Sequence, residues 1–318
     1  MKKILVMVTV MALMTALLAG CSSSKPTIGI CQYGEHPSLD NCREGFLAGL
    51  EEEGLKEGRD FKLDYQNGNF DDGVCTQIAR SFSSSGVDLM VGIATNAALA
   101  CYAASEDNDI PVVYIAVSDP ISSNLVVGNV TGTSDALPVE AQLELIRRIQ
   151  PDAKTIGIIY TVSETNSVST IADYNEKAAD YGFVIESIGI TTQSEVSFAT
   201  DTLIGKGVDC FSNLTDNTVV SVLDSILERT NDAGIPVYGS EVEQVKGGCV
   251  ASAGIDYLAL GVSSGKIAAK VLRKEAEAGE IPFETIIDYK IYLNTKALTQ
   301  LGLTLPEELK ATAVEAGE

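Results

Sequence analysis

A single histidine, His36, serves all 318 residues, and only 22 lysines and arginines stand against 44 aspartates and glutamates. Each shortage removes a class of function. With one imidazole and no CxxC pair, the chain lacks the paired short spacings of a zinc site, so neither a metal nor a cofactor is expected. A formal net charge of −22 repels phosphate backbones, because nucleic-acid binding needs clustered Lys and Arg to release counterions. No nucleic-acid partner is expected. P-loop and intact G-x-G-x-x-G patterns are absent. The one serine motif, Gly261-Val262-Ser263-Ser264-Gly265, fits G-x-S-x-G but lies inside a helical pattern, whereas a nucleophile elbow must follow a strand directly. A triad would also have to recruit His36, and nothing in the sequence brings the two together. The chain therefore reads as a non-enzyme with no catalytic residue, and a lobed hydrolase is the weakest alternative.

What is present begins with a targeting segment. Two lysines precede an apolar run over residues 4–18, followed by Leu18-Ala19-Gly20-Cys21. This is a secretory signal, too short and wrongly flanked for a permanent membrane span, and it ends in a bacterial lipobox. Residues 1–20 are expected to be removed, Cys21 to carry palmitate-type lipid, and residues 21–26 to act as a tether on the extracytoplasmic face of the cell membrane. The other six cysteines, Cys31, Cys42, Cys75, Cys101, Cys210 and Cys249, are expected as free core or half-buried thiols, although spacing alone does not decide pairing.

Along the mature chain, near-continuous apolar runs of strand length alternate with helical patterns. Runs at residues 27–32, 61–65, 87–93, 111–117 and 125–130 read as strands covered on both faces, the mark of parallel sheets. Helical stretches at 38–53, 71–84 and 97–105 separate them, giving a doubly wound α/β lobe. The second half repeats the first. TIGI at Thr27 recurs at Thr155, Phe61 finds its counterpart in Phe183, VDLMVGIATNAAL from Val87 aligns with VDCFSNLTDNTVV from Val208, and IPVVYIAVSD from Ile110 resembles IPVYGSEVE from Ile235. Four matches in one order point to two similar lobes. Residues 132–138 mark the first crossing between them, and the helical pattern at 257–278 is most simply placed back on the first lobe. The expected lobes are residues 27–132 plus 257–285 and residues 133–256 plus 286–318, joined by a multi-strand hinge that can close on a ligand.

In open α/β sheets ligands sit beyond the carboxyl ends of strands. That rule collects Tyr33, Glu35, His36, Thr95, Asn96, Ser118 and Asp119 from one lobe, and Glu164, Asn166, Asp216, Asn217, Ser240 and Glu241 from the other. None of these loops carries Lys or Arg, which argues against phosphorylated ligands. Thr95 and Asp216 occupy equivalent places, one a neutral hydroxyl and the other a carboxylate. A zwitterion spanning the cleft would meet both, its carboxylate toward Thr95 and Ser118 and its ammonium toward Asp216. Equally, both residues suit simple helix N-caps. Tyr33, Tyr160 and Tyr257 can line an apolar wall, while Asp119, Asp135 and Asp256 more simply bind ligand donors than catalyse.

The stretches EHPSLDNCREGF, GRDFKLDYQN, VDLMVGIAT, AVSDP, NVTGTSDALPVEAQLELI, ETNS, TDNTV and AGIDYLALG together resemble the ABC-transporter substrate-binding lipoproteins of the tryptophan/aromatic amino-acid type, which have the type I periplasmic binding protein fold. The resemblance implies a monomer that captures an aromatic amino acid between its lobes and delivers it to a membrane permease. Carried onto this chain, the cleft positions are Glu35, His36, Thr95, Ser118, Asp119, Asn166, Asp216, Asn217 and Asp256. The alternative of a different class is a lipid-anchored surface sensor or adhesin using the same cleft.

Overall fold

The repeat in the sequence becomes a repeat in topology. The computed structural model describes residues 25–285 and 289–317, so the signal segment and Cys21 lie outside the described residues. Strands β1 (Thr27–Gln32), β2 (Lys62–Asn67), β3 (Leu89–Ile93), β4 (Val112–Ile115) and β5 (Val130–Ser134) run parallel in the order β2-β1-β3-β4-β5. Strands β6 (Thr155–Thr161), β7 (Val184–Ile190), β8 (Cys210–Ser212), β9 (Val237–Tyr238) and β10 (Ala251–Gly254) repeat that order as β7-β6-β8-β9-β10. The sequence matches also keep register. Phe61 and Phe183 directly precede the second strand of each set, Val87 and Val208 stand two residues before the third, and Ile110 and Ile235 two before the fourth. Short additions finish the edges: β11 (Glu284–Thr285) joins β5, β12 (Lys290–Leu293) lies antiparallel to β10, and β13 (Val314–Glu315) pairs with β12. The second sheet is therefore parallel in every pairing except β10 with β12.

Strands form where both faces can be covered, and the difference from expectation follows that rule. β1 and β3 are buried almost throughout, and each fully buried Ile or Val side chain contributes roughly 1.5–3 kcal/mol. The strand expected at residues 125–130 does not form. Asn124 and Gly128 take left-handed φ values of 55° and 85°, turning the chain so that Val126 and Val127 are exposed, and the strand starts instead at Val130. It continues to Ser134, so the first passage between sheets is shorter than expected, at residues 135–138.

Helices α1 (Pro37–Glu52), α2 (Asp72–Ser85) and α3 (Thr95–Ser105) cover the first sheet; α4 (Val139–Ile149), α5 (Thr165–Lys177), α6 (Val196–Lys206), α7 (Asn217–Val220), α8 (Leu223–Asp232) and α9 (Val242–Gly247) belong to the second. The chain then returns: α10 (Tyr257–Leu272) packs along α1, its Leu260, Ile267 and Ala268 joining the first lobe's core. The helix stops at Leu272, short of the expected 278, with Lys274 in a left-handed conformation (φ 58°). The serine motif belongs to this contact. A Cβ on Gly261 would lie 2.2 Å from the Cys42 carbonyl oxygen, and one on Gly265 would lie 2.3 Å from that of Phe46; Gly45 and Gly49 are equally tight against α10. Two glycine pairs let the helix backbones touch, and Ser264 is spent on a 2.7 Å hydrogen bond with Thr133. G-x-S-x-G here is a packing seam. Gly265→Ala should cost about 1–3 kcal/mol, the usual penalty for overpacking, read as a lowered thermal midpoint with the same secondary-structure spectrum.

Candidate ligand cleft

Strand ends of the two sheets face each other, and the residues that follow them bridge the gap. Ser38 Oγ donates to Glu241 at 3.0 Å, His36 Nε2 meets Asn217 Oδ1 at 3.2 Å, and Ser118 meets Thr215 at 3.2 Å. Asn96 donates to the Ser163 carbonyl at 3.3 Å, and Ser169 to Asp119 at 2.9 Å. The lobes are closed on each other. Between them lies a cavity of about 10 Å³ lined by His36, Ser38, Leu39, Ala116, Asp135, Asn166, Thr215, Asp216, Asn217, Val220, Glu241, Gln244 and Tyr257. That is about the room of one water, so an organic ligand gains access only when the lobes part. A recess of about 260 Å³ adjoins it, sharing His36, Ser38, Val220, Glu241 and Gln244 and adding Glu35, Pro37 and Leu223.

Hydrogen bonds orient the polar atoms in the wall. Glu164 accepts from Asn217 N at 2.9 Å, Asn217 Nδ2 at 2.8 Å, Thr218 N at 2.9 Å and Thr218 Oγ1 at 2.7 Å. This fixes the Asn217 amide with its oxygen toward His36, so Nε2–H of His36 donates and Nδ1 is left a bare, buried acceptor. Asn166 likewise donates through Nδ2 to the Thr215 carbonyl at 2.8 Å and leaves Oδ1 buried without a partner. Asp135 accepts from Ser118 at 2.8 Å and Tyr257 at 2.5 Å; Glu241 accepts from Ser38, Glu243 N and Gln244 N. No lysine or arginine lines the inner cavity. Its wall is rich in acceptors and carries only negative formal charge.

Burial dominates the titration of these groups. It pushes Glu241 up to about 7 and Glu164 up to about 7, the latter helped by neighbouring Asp216, and it raises Asp135 and Asp216 above the ordinary carboxylate range. Burial acts oppositely on His36 and lowers it to about 4. A histidine held neutral contributes its full share of stability above its unfolded value of 6.5, and that share is lost as the pH falls from 6.5 toward 4. The loss is about 3 kcal/mol, at about 1.4 kcal/mol for each unit. Urea melts of the closed protein at pH 7 and pH 4.5 should show wild type losing more stability than His36→Gln on acidification. Equal losses would contradict a buried neutral imidazole.

Of the residues selected from sequence, His36, Asn166, Asp216, Asn217 and Glu241 come together at the inner cavity, and Glu35 stands exposed at the outer recess. Others are spent elsewhere. Asp216 lines the cavity, but its carboxylate accepts from Thr161 N at 2.5 Å, Thr161 Oγ1 at 2.8 Å and Val219 N at 2.9 Å; the geometry favours the N-cap role over an ammonium partner. Thr95 is not the cap of α3. Ala94, at φ 74°, holds that position, and Thr95 is buried one step inside with an unpartnered hydroxyl, off the cavity wall. Asp256 is an exposed cap of α10, Tyr33 packs edge-on against Phe70, and Asn96 ties Asp72 to the opposite lobe. Ser118 and Asp119 border a separate recess of about 240 Å³ beside the hinge. Tyr257 reaches the cavity, whereas Tyr160 packs on its own core. Ser38, Asp135, Thr215 and Gln244 line the cavity without having been collected by the strand-end rule, though Asp135 is a noted carboxylate. All six described cysteines are free and buried, and no helix among the described residues is long and apolar enough to cross a membrane.

Comparison with known proteins gives this cleft its context. A 34% identical structure from Streptococcus pneumonia, described as an ABC domain in complex with L-Trp, superposes with a TM-score of 0.87 over 92% of this chain and 99% of that one. The ligand-free, open structure of a substrate binding protein with adhesive properties from Clostridium difficile is 37% identical over 92% of this chain and 99% of its own, yet superposes at only 0.68, as expected when lobes with the same folds stand apart. A curated tyrosine-binding protein from Clostridioides difficile (strain R20291) is 36% identical over 324 residues, 95% of this chain and 93% of its own. The sequence model of the ABC transporter substrate binding protein family matches residues 27–316. Two repeated α/β lobes facing each other across a cleft agree with these matches, and the chain belongs to the ABC transporter substrate binding protein family, whose members bind solutes and are not enzymes.

Proposed function

We propose that the protein is the extracytoplasmic, lipid-anchored capture component of an ABC importer and that its ligand is an aromatic α-amino acid. One observation carries the ligand class: the inner cavity offers His36 Nδ1 and Asn166 Oδ1 without partners beside Asp135 and Glu241, with no basic side chain. An ammonium supplies three donors and the missing charge. α1 begins at the same cavity with no side chain capping its first turn, so its free N–H groups and positive dipole suit the carboxylate. From sequence, the carboxylate is expected toward the first lobe and the ammonium toward Asp216 of the second; in this proposal the ammonium acceptors come from both lobes, His36 from the first and Asn166 and Glu241 from the second. Val220, Leu223 and the His36 ring line the path to the outer recess, where an aromatic side chain would lie. Relatives described as tyrosine-binding and as bound to L-Trp support the same class.

Calorimetric titration of the protein from residue 25 against the twenty amino acids tests this. Tyrosine or tryptophan should bind most tightly, with phenylalanine and the aliphatic residues weaker; no heat from any of them would end the proposal. A second reading, a surface adhesin or sensor, is favoured by the adhesive properties described for the Clostridium difficile relative. Deletion of the gene with unchanged amino-acid uptake and reduced surface attachment would support it over transport.

A further inference from the structure

Four carboxylates are buried around the cleft, Asp135, Glu164, Asp216 and Glu241, but they are buried in two ways. Glu164 and Asp216 are covered from within the second lobe, by Asn217, Thr218, Thr161 and Val219. Glu241 and Asp135 are covered where the lobes meet. Glu241 Oε1 accepts from Ser38 of the opposite lobe at 3.0 Å as well as from Gln244 N at 2.9 Å. Asp135 sits in the passage between sheets, held by Ser118 and by Tyr257 at the start of α10. Closing covers Glu241 with a group from the opposite lobe and seals the cavity that Asp135 lines, and it brings no cation from the protein in exchange; a buried carboxylate without a positive partner is expensive.

We propose that Glu241, assisted by Asp135, gates closure by charge: the lobes come together only when a positive charge, the ligand's ammonium or a proton, enters the cleft with them. The proposal rests on the amino-acid reading only for the identity of the natural cation. It makes Glu241 a specificity-determining residue, because an uncharged aromatic molecule of the right shape would reach the open cleft yet fail to shut it. Binding and closing are then separable, which a shape-only pocket does not allow.

The groups facing Glu241 bear this out. From α1 come Ser38 and the thiol of Cys42, from α10 the phenol of Tyr257 with Asp256 before it, from β12 the phenol of Tyr292, and beyond α9 the thiol of Cys249. Its own helix adds Glu243 and Lys246, but Lys246 is half exposed and paired with Glu243 at 2.8 Å. None neutralises it. The empty closed form therefore holds Glu241 up at about 7. A carboxyl that is ordinary when open and raised when closed takes up a proton on closing, so acid favours closure of the empty protein as the pH falls through about 7. His36 opposes this below 6.5, since it must lose its proton to be buried. The comparison is cleanest at pH 8.5, where the imidazole is neutral in both forms.

Small-angle scattering on residues 25–318, which contain both sheets, decides the matter. At pH 8.5 without ligand, wild type should be extended, and L-tyrosine should compact it. Glu241→Gln and Glu241→Gln/Asp135→Asn should already show the ligand-bound radius of gyration with no ligand present, and wild type should begin to compact on shifting to pH 6.5. The proposal is overturned if both variants scatter like empty wild type, or if empty wild type is compact at pH 8.5. If the neutral variants are compact but neither L-tyrosine nor L-tryptophan compacts wild type, the gate stands and the amino-acid reading fails. Should Glu241→Gln not fold, Asp135→Asn alone is judged by the same readout.

Discussion

N-acetyl-L-tyrosine should bind roughly a thousandfold or more weakly than L-tyrosine, because a site built to pair with buried donors rejects analogues that lack them by large factors. Acetylation removes the charge and two of the three N–H donors at once. The one N–H that remains cannot satisfy both His36 Nδ1 and Asn166 Oδ1, and an acyl oxygen is set against Asp135 and Glu241, acceptor against acceptor. Tyramine, which keeps the ammonium and loses the carboxylate, should retain part of the affinity. Competition calorimetry with the three compounds measures both effects. Equal binding of tyrosine and its N-acetyl derivative would remove the ammonium from the account of the cleft.

Glu164→Ala should be the most damaging single substitution in the second lobe, costing on the order of 3–5 kcal/mol. The carboxylate takes two backbone and two side-chain donors from Asn217 and Thr218, so its loss orphans four buried groups at the start of α7. Domains of ordinary stability have only about 5–15 kcal/mol to lose. The midpoint of urea unfolding should fall steeply, and ligand binding should fall with it, because Asn217 would no longer hold the His36 tautomer. Glu164→Gln keeps acceptors for part of the set and should lie between. A Glu164→Ala protein as stable as wild type would mean that water or neighbouring oxygens replace the carboxylate without cost.

The lobes were legible because the signal was doubled. A buried parallel strand announces itself as an apolar run, and here each run appeared twice with the same neighbours, so Phe61 and Phe183 or Ile110 and Ile235 fixed the strand starts in both lobes. Residues 125–130 misled for a related reason: an apolar run is necessary for such a strand but not sufficient, and two left-handed residues turn this one outward. The cleft was half legible. Strand ends supplied His36, Asn166, Asp216, Asn217 and Glu241, but not which of their atoms remained free. That depends on hydrogen bonds between residues far apart in the chain, such as Glu164 to Asn217 to His36, which no local pattern records. Thr95 shows the same limit at the scale of one residue. Its counterpart Asp216 caps a helix, whereas the left-handed Ala94 starts α3 one position early and turns the hydroxyl into the core. Ser38 and Asp135 lie on a helix and in a crossing segment, outside the strand-end rule altogether.

The six buried thiols have a practical meaning for watching this molecule move. A maleimide dye finds no native sulfur on the surface of the described residues, so a pair of cysteines introduced on opposite lobes would be labelled selectively, and their energy transfer would follow opening and shutting directly. Native sulfurs deep in a lobe's core, such as those of Cys101 and Cys210, would then serve as an internal alarm, reacting only when a lobe itself comes apart.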